Sequence, residues 1–126
     1  MPLVTLTVQK PKSAQFKDTI LSAVHAALVA SGVPETDRFH RVIELEPENF
    51  RFNASYPDLT SPRNEDFVMI EIFLSVGRRF SVKRQIVQDI VGKLGAHGFE
   101  PERVMICFNE TAWENWSLGG GRFCYL

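Results

Sequence analysis

Phe67 to Gly98 reads FVMIEIFLSV–GRRFSVKRQIVQDIVGKLGAHG, and this stretch decides the fold. Its first ten residues are dense in β-branched and large apolar side chains, the composition of a buried strand. The next 22 switch period: Val82, Ile86, Val87, Ile90 and Leu94 recur three to four apart, which predicts an amphipathic helix with Gly98 as its stop. EPERVMICFNE then supplies another strand.

The same pattern stands 66 positions earlier. Lys17 falls on Lys83, Leu21 on Val87, Val24 on Ile90, Leu28 on Leu94, Gly32 on Gly98 and Lys12 on Arg78. Leu3 to Val8, LVTLTV, is the earlier strand. Phe16, Ile20, Leu21, Val24, Ala27 and Leu28 mark the earlier helix, with Ser13 as its N-cap, Gly32 as its stop and Pro34 forbidding continuation. RFHRVIEL follows as a strand.

A strand–helix–strand crossover of about 25 residues makes its two strands parallel, and its handedness puts both helices on one sheet face. The expected fold is therefore α/β, an α+β two-layer sandwich. Tandem β-α-β units form a four-stranded mixed sheet with two helices on one face. One domain spans 1–126, with unit one at about 2–45, a connection at 46–65, unit two at 66–110 and a tail at 111–126. The connection is rich in Pro, Asn, Asp and Ser, and Phe50 to Asn53 could add a short strand. Arg122 to Leu126 is apolar enough to pair with an edge or a neighbouring subunit. The sheet face without helices demands a partner, and copies of the same chain are the expected one.

With 14 basic and 15 acidic residues the net charge is −1, which supplies no field for nucleic acid. No apolar run approaches the roughly 20 residues of a membrane span, and the first residues, MPLVTLTVQK, do not form a secretory signal. The expectation is a cytoplasmic protein with no membrane or nucleic-acid partner. Cys107 and Cys124 form no CxxC pair and are expected to be buried thiols. His25 is expected to be a structural helix residue. His40 and His97 lack ligand partners at metal-binding spacing, and no phosphate-binding glycine motif occurs, so no metal or cofactor is expected.

Pro2 heads a strand. If Met1 is removed, its nitrogen becomes a secondary amine fixed at the start of the sheet. Such an amine can act as general base and acid when apolar surroundings or cations oppose its charge.

Four stretches carry a resemblance: MPLV (1–4), GVPETDRFHRV (32–42), GRRFSVKRQ (77–85) and ENWSLGGGR (114–122). In their order and spacing the chain resembles the tautomerase superfamily, in the branch that includes malonate semialdehyde decarboxylase and related tautomerase-like proteins. The resemblance implies a catalytic Pro2 with Asp37 beside it. It implies Arg78 or Arg79 as the anchor of a substrate carboxylate, Trp116 as an apolar wall of the site and Asn115 as a hydrogen-bond partner of a substrate oxygen. It also implies a homotrimer with sheets facing inward. Where the decarboxylase has a pair of arginines, this chain aligns Leu74 and Val76. The expected function is therefore keto–enol tautomerisation of a small carboxylate substrate. Decarboxylation or hydration of a small 3-oxo or haloacrylic acid is the alternative, and a non-catalytic binding module is the third reading.

Overall fold

The computed structural model describes residues 1–123. Its elements are β1 (Leu3–Gln9), α1 (Ala14–Ala30), β2 (His40–Leu45), β3 (Val68–Ser75), α2 (Phe80–Ala96), β4 (Val104–Thr111), β5 (Ser117–Gly119) and β6 (Arg122–Phe123). The sheet order is β2-β1-β3-β4. β1 runs parallel to β2 and β3 parallel to β4, while β1 and β3 pair antiparallel at the centre. This is the expected mixed sheet of two β-α-β units, with α1 and α2 packed side by side on one face.

The repeat survives in three dimensions. The helices start and end 66 positions apart, and so do the 3-10 turns Pro47–Asn49 and Trp113–Asn115. Gly32 (φ +115°) and Gly98 (φ +86°) end the two helices in a backbone region that a Cβ disfavours. Lys17 pairs with Glu44, and Lys83 pairs with Glu110 at the equivalent position. The caps differ: the Ser13 hydroxyl accepts from Phe16 N–H at 3.0 Å, whereas Arg79 caps α2 without a side-chain bond.

Alternate residues of the central strands fill the core. Val4, Leu6 and Val8 from β1 and Val68, Ile70, Ile72 and Leu74 from β3 are essentially inaccessible. They meet Ile20, Val24 and Leu28 of α1 and Ile86, Ile90 and Leu94 of α2. Burying one such side chain stabilises the fold by about 1.5–3 kcal/mol.

The opposite sheet face is uncovered and mixed. Ile43, Phe73 and Met105 are exposed there, but Arg41 also reaches across to donate to Thr5 Oγ1 at 2.8 Å. Cys107 lies exposed on β4 because that strand alternates outward, which corrects the expected buried thiol. Cys124 lies outside the described residues.

The connection also differs from expectation. Phe50 to Asn53 form no strand. Phe50 and Phe52 instead stack on Phe67, at 5.5 and 4.5 Å between ring centres. The Asn53 side chain accepts from the Ser55 and Tyr56 amides and turns the chain away from any sheet edge. In the tail, Arg122 and Phe123 pair with the chain's own Ser117–Gly119, and the remainder of the expected 122–126 segment lies outside the described residues.

Candidate functional site

The strand directions gather four chain segments at one end of the sheet. β1 and β2 begin there, while β3 and β4 finish there. Leu3 lies opposite Phe73, so Pro2 falls beside the end of β3. Val4 pairs with His40, which brings the loop ending at Phe39 alongside; Val4 N–H donates to Phe39 O at 2.9 Å. Ser75 pairs with Thr111, which brings the turn after β4 to the same end.

A cleft of 250 Å³ opens among these segments, lined by Met1, Pro2, Leu3, Phe39, Trp116 and the two residues that follow it. Pro2 is buried in its floor. Trp116 stands against Phe73, edge to face at 5.6 Å, which fixes its ring at the wall. Asp37 Oδ2 lies 3.2 Å from the amino nitrogen of Met1, and Oδ1 is buried with no hydrogen-bond partner. A half-satisfied carboxylate in a sheltered position retains acceptor capacity for another proton donor.

The other expected residues stand around this core rather than in it. Arg78 is half-buried, and its Nη1 donates to Ser75 O at 3.2 Å, so the guanidinium curls over the end of β3 without lining the cleft. Arg79 is exposed at the α2 N-cap and faces none of the cleft lining. Asn115 donates its amide to Thr111 Oγ1, which spends that group on bracing the turn. Leu74 is fully buried against the helices.

Phe39 and Ser75 went unread in the sequence. Phe39 is exposed yet lines the cleft, and its only sequence signal was a large aromatic at the head of a strand. Ser75 is wholly buried with its hydroxyl unpartnered, and nothing in the local pattern distinguishes it.

A larger hollow of 560 Å³ lies on the outer surface between the helices, lined by residues such as Asp18, Ser22, Lys93 and His97. Among the described residues, no group of three or more His, Cys, Asp or Glu side chains is placed to hold a metal ion. Among the described residues no helix is long and apolar enough to cross a membrane.

The likeness to solved structures is extensive. FG41 malonate semialdehyde decarboxylase inhibited by 3-bromopropiolate superposes with a TM-score of 0.86 at 28% identity, covering 95% of this chain and 91% of that one. A malonate semialdehyde decarboxylase solved in wild-type, mutant and inactivated forms gives 0.85 at 25% identity, covering 95% and 92%. A fused 4-OT solved as a symmetric trimer shares the fold, with a TM-score of 0.71 at 15% identity over 96% and 94%. No curated protein sequence gives a significant match. The family model described as "Tautomerase enzyme" matches residues 37–119, about two thirds of the chain and the span holding Asp37, Arg78 and Trp116. On that match, and with the fold agreeing, the chain belongs to the tautomerase family.

Proposed function

We propose that the protein is an enzyme of small oxo acids that works through the Pro2 amine after loss of Met1. One observation carries this reading: the residue that would become the terminus is buried in the cleft floor, and a sheltered Asp37 carboxylate lies 3.2 Å from the present chain terminus. Removing Met1 empties part of the cleft and puts a secondary amine at its centre.

In the primary reading the enzyme tautomerises a small carboxylate-bearing keto acid. The Pro2 nitrogen takes a proton from one substrate atom and returns it at another, so composition is unchanged. Trp116 and Phe39 exclude water and hold the substrate's apolar part. Arg78 is the nearby cation suited to the carboxylate and to charge growing on the enol oxygen, once it leaves the Ser75 carbonyl. Arg79, exposed at the α2 N-cap, and Asn115, bonded to Thr111, would reach substrate only by leaving those positions.

Decarboxylation or hydration is favoured by the carboxylate itself. Asp37 lies within ion-pair distance of the terminal nitrogen, and a carboxylate there can orient a water or a proton donor toward the carbon left when carbon dioxide departs. The likeness to two decarboxylase structures points the same way.

Intact mass establishes whether Met1 is removed. The wild type is then assayed with the enol of phenylpyruvate and with malonate semialdehyde, beside Pro2→Ala. Full activity in Pro2→Ala overturns the terminal-amine reading. Asp37→Asn separates the reactions: malonate semialdehyde turnover collapses if Asp37 serves decarboxylation, and phenylpyruvate turnover persists. We also assign a homotrimer, supported by the exposed Ile43, Phe73 and Met105 on the helix-free face. Light scattering at three times the 14.3 kDa chain mass tests it.

A further inference from the structure

The loop that carries Asp37 is held from behind by a histidine that the proposed chemistry does not use. His25 sits on α1 and is 4% exposed. Its Nε2 lies 2.8 Å from the Glu35 carbonyl oxygen, and a ring nitrogen facing a carbonyl donates. Nδ1 is buried without a partner, so the ring's hydrogen bonding is spent on that one carbonyl. The His40 ring packs edge-on at 5.8 Å and fixes the imidazole plane.

From Glu35 the chain reaches Asp37 in two residues. Asp37 N–H donates to Pro34 O at 3.0 Å and Arg38 N–H to Thr36 O at 2.9 Å; Phe39 O then accepts from Val4 at the head of β1. Asp37 thus hangs between two anchors, one supplied by the sheet and one by His25. His25 does not line the Pro2 cleft. It faces a separate hollow of 400 Å³ with Ser22, Glu35 and Arg38, so it does not touch a substrate there.

The second unit provides an internal control. Sixty-six positions on, Val91 replaces His25, Pro101 replaces Glu35 and Arg103 replaces Asp37. Among the described residues the second unit's loop takes the 3-10 turn Pro101–Arg103, and the position equivalent to His25 carries the apolar Val91, which has no side-chain donor. The helix-to-loop bond occurs in the unit whose loop presents a carboxylate to the chain terminus.

We propose that His25 is a positioning residue for Asp37, acting through the Glu35 carbonyl to hold the carboxylate at the terminal amine. This rests on the reading of Pro2 and Asp37 above. Losing one hydrogen bond of this kind corresponds to a roughly tenfold effect.

Two measurements test it. In amide exchange, His25→Leu should speed exchange at residues 36–38 by about tenfold, with the β1–β3 amides unchanged. His25→Gln, which keeps a donor at similar reach, should restore protection; His25→Asn, whose donor is too short, should not. In kinetics with malonate semialdehyde, the substrate whose turnover is expected to need Asp37, His25→Leu should lower kcat/KM by about tenfold, mainly in kcat, and should cost less than about twofold more when Asp37 is already Asn. Should the leucine variant fail to fold, the Gln–Asn pair carries both measurements. Unchanged exchange at 36–38, or a full additional loss on Asp37→Asn, overturns the proposal. Activity retained in Pro2→Ala would instead sink the terminal-amine reading, while the exchange data still decide whether His25 holds the loop.

Discussion

The two ends of the sheet are built from equivalent positions and finished in opposite ways. Pro2 and Val68 stand 66 apart at the heads of β1 and β3, and Phe50 and Trp116 stand 66 apart after the equivalent 3-10 turns. At the Val68 end the chain continues backwards into the connection. Phe67 fills the space between Phe50 and Phe52, and the Arg63 guanidinium lies over its ring at 5.2 Å. At the Pro2 end Met1 and Pro2 line a cleft, and Trp116 faces that cleft rather than a stack of aromatics. One repeated scaffold thus yields packed aromatic rings at one end and a cleft at the other.

The largest expected effect separates the ends by activity. Pro2→Ala should cut turnover of a responsive substrate by about 100-fold or more, the usual weight of a positioned acid–base group. Val68→Ala should leave kcat unchanged and cost about 2 kcal/mol of stability, read from urea unfolding. Equal kinetic losses in the two variants would break the distinction.

At the plugged end, Phe67→Ala should destabilise by about 3–5 kcal/mol, because it empties a site walled by two aromatic rings. The equivalent experiment at the open end, Trp116→Ala, should lower activity more than melting temperature. A sharper comparison comes from the caps. Ser13→Ala should cost about 1 kcal/mol, while Arg79→Ala should cost almost nothing, since Arg79 makes no capping bond.

The smallest effect is a pH dependence. His40 is held below the ordinary histidine value, first by burial and then by Arg38 and His25. Its folded pKa lies below the unfolded 6.5, so the unfolded chain binds the proton more readily. Stability should be level above pH 6.5, decline as pH falls below it, and level off once the folded histidine is itself protonated. His40→Gln should flatten that step. Glu44 is likewise lowered, by its hydrogen bond to Lys17 and then by that lysine's charge. Its contribution persists above the unfolded 4.5 and is lost as pH falls through the folded value, a second step that His40→Gln should leave in place.

Much of the fold was legible because its signals are local. The change from strand to helical period, Ser13 as a cap, and Gly32 and Gly98 as stops each depend on a few neighbouring residues. Phe50 to Asn53 misled for the same reason: a short aromatic run looks like a strand, and only the distant Phe67 shows what those rings pack against. Cys107 misled because its burial depends on whether the sheet face is covered, a property of β4's surroundings and not of its sequence. In the site, side-chain chemistry and the resemblance offer Pro2, Asp37 and Trp116, and strand pairing sets them at the same end of the sheet. Arg79, which the resemblance offers beside Arg78, is exposed at the start of α2.

The sequence by itself determined the repeat, the helix boundaries and the identity of the residues able to do acid–base work, since spacing and side-chain chemistry are written residue by residue. Only the tertiary structure decided that Pro2, Asp37, Phe39 and Trp116 meet at one end and that the equivalent end is closed. The antiparallel pairing of Leu3 with Phe73 brings together positions 70 apart in the chain. That juxtaposition arises from strand pairing and from what packs against each strand's head, and no local pattern encodes either.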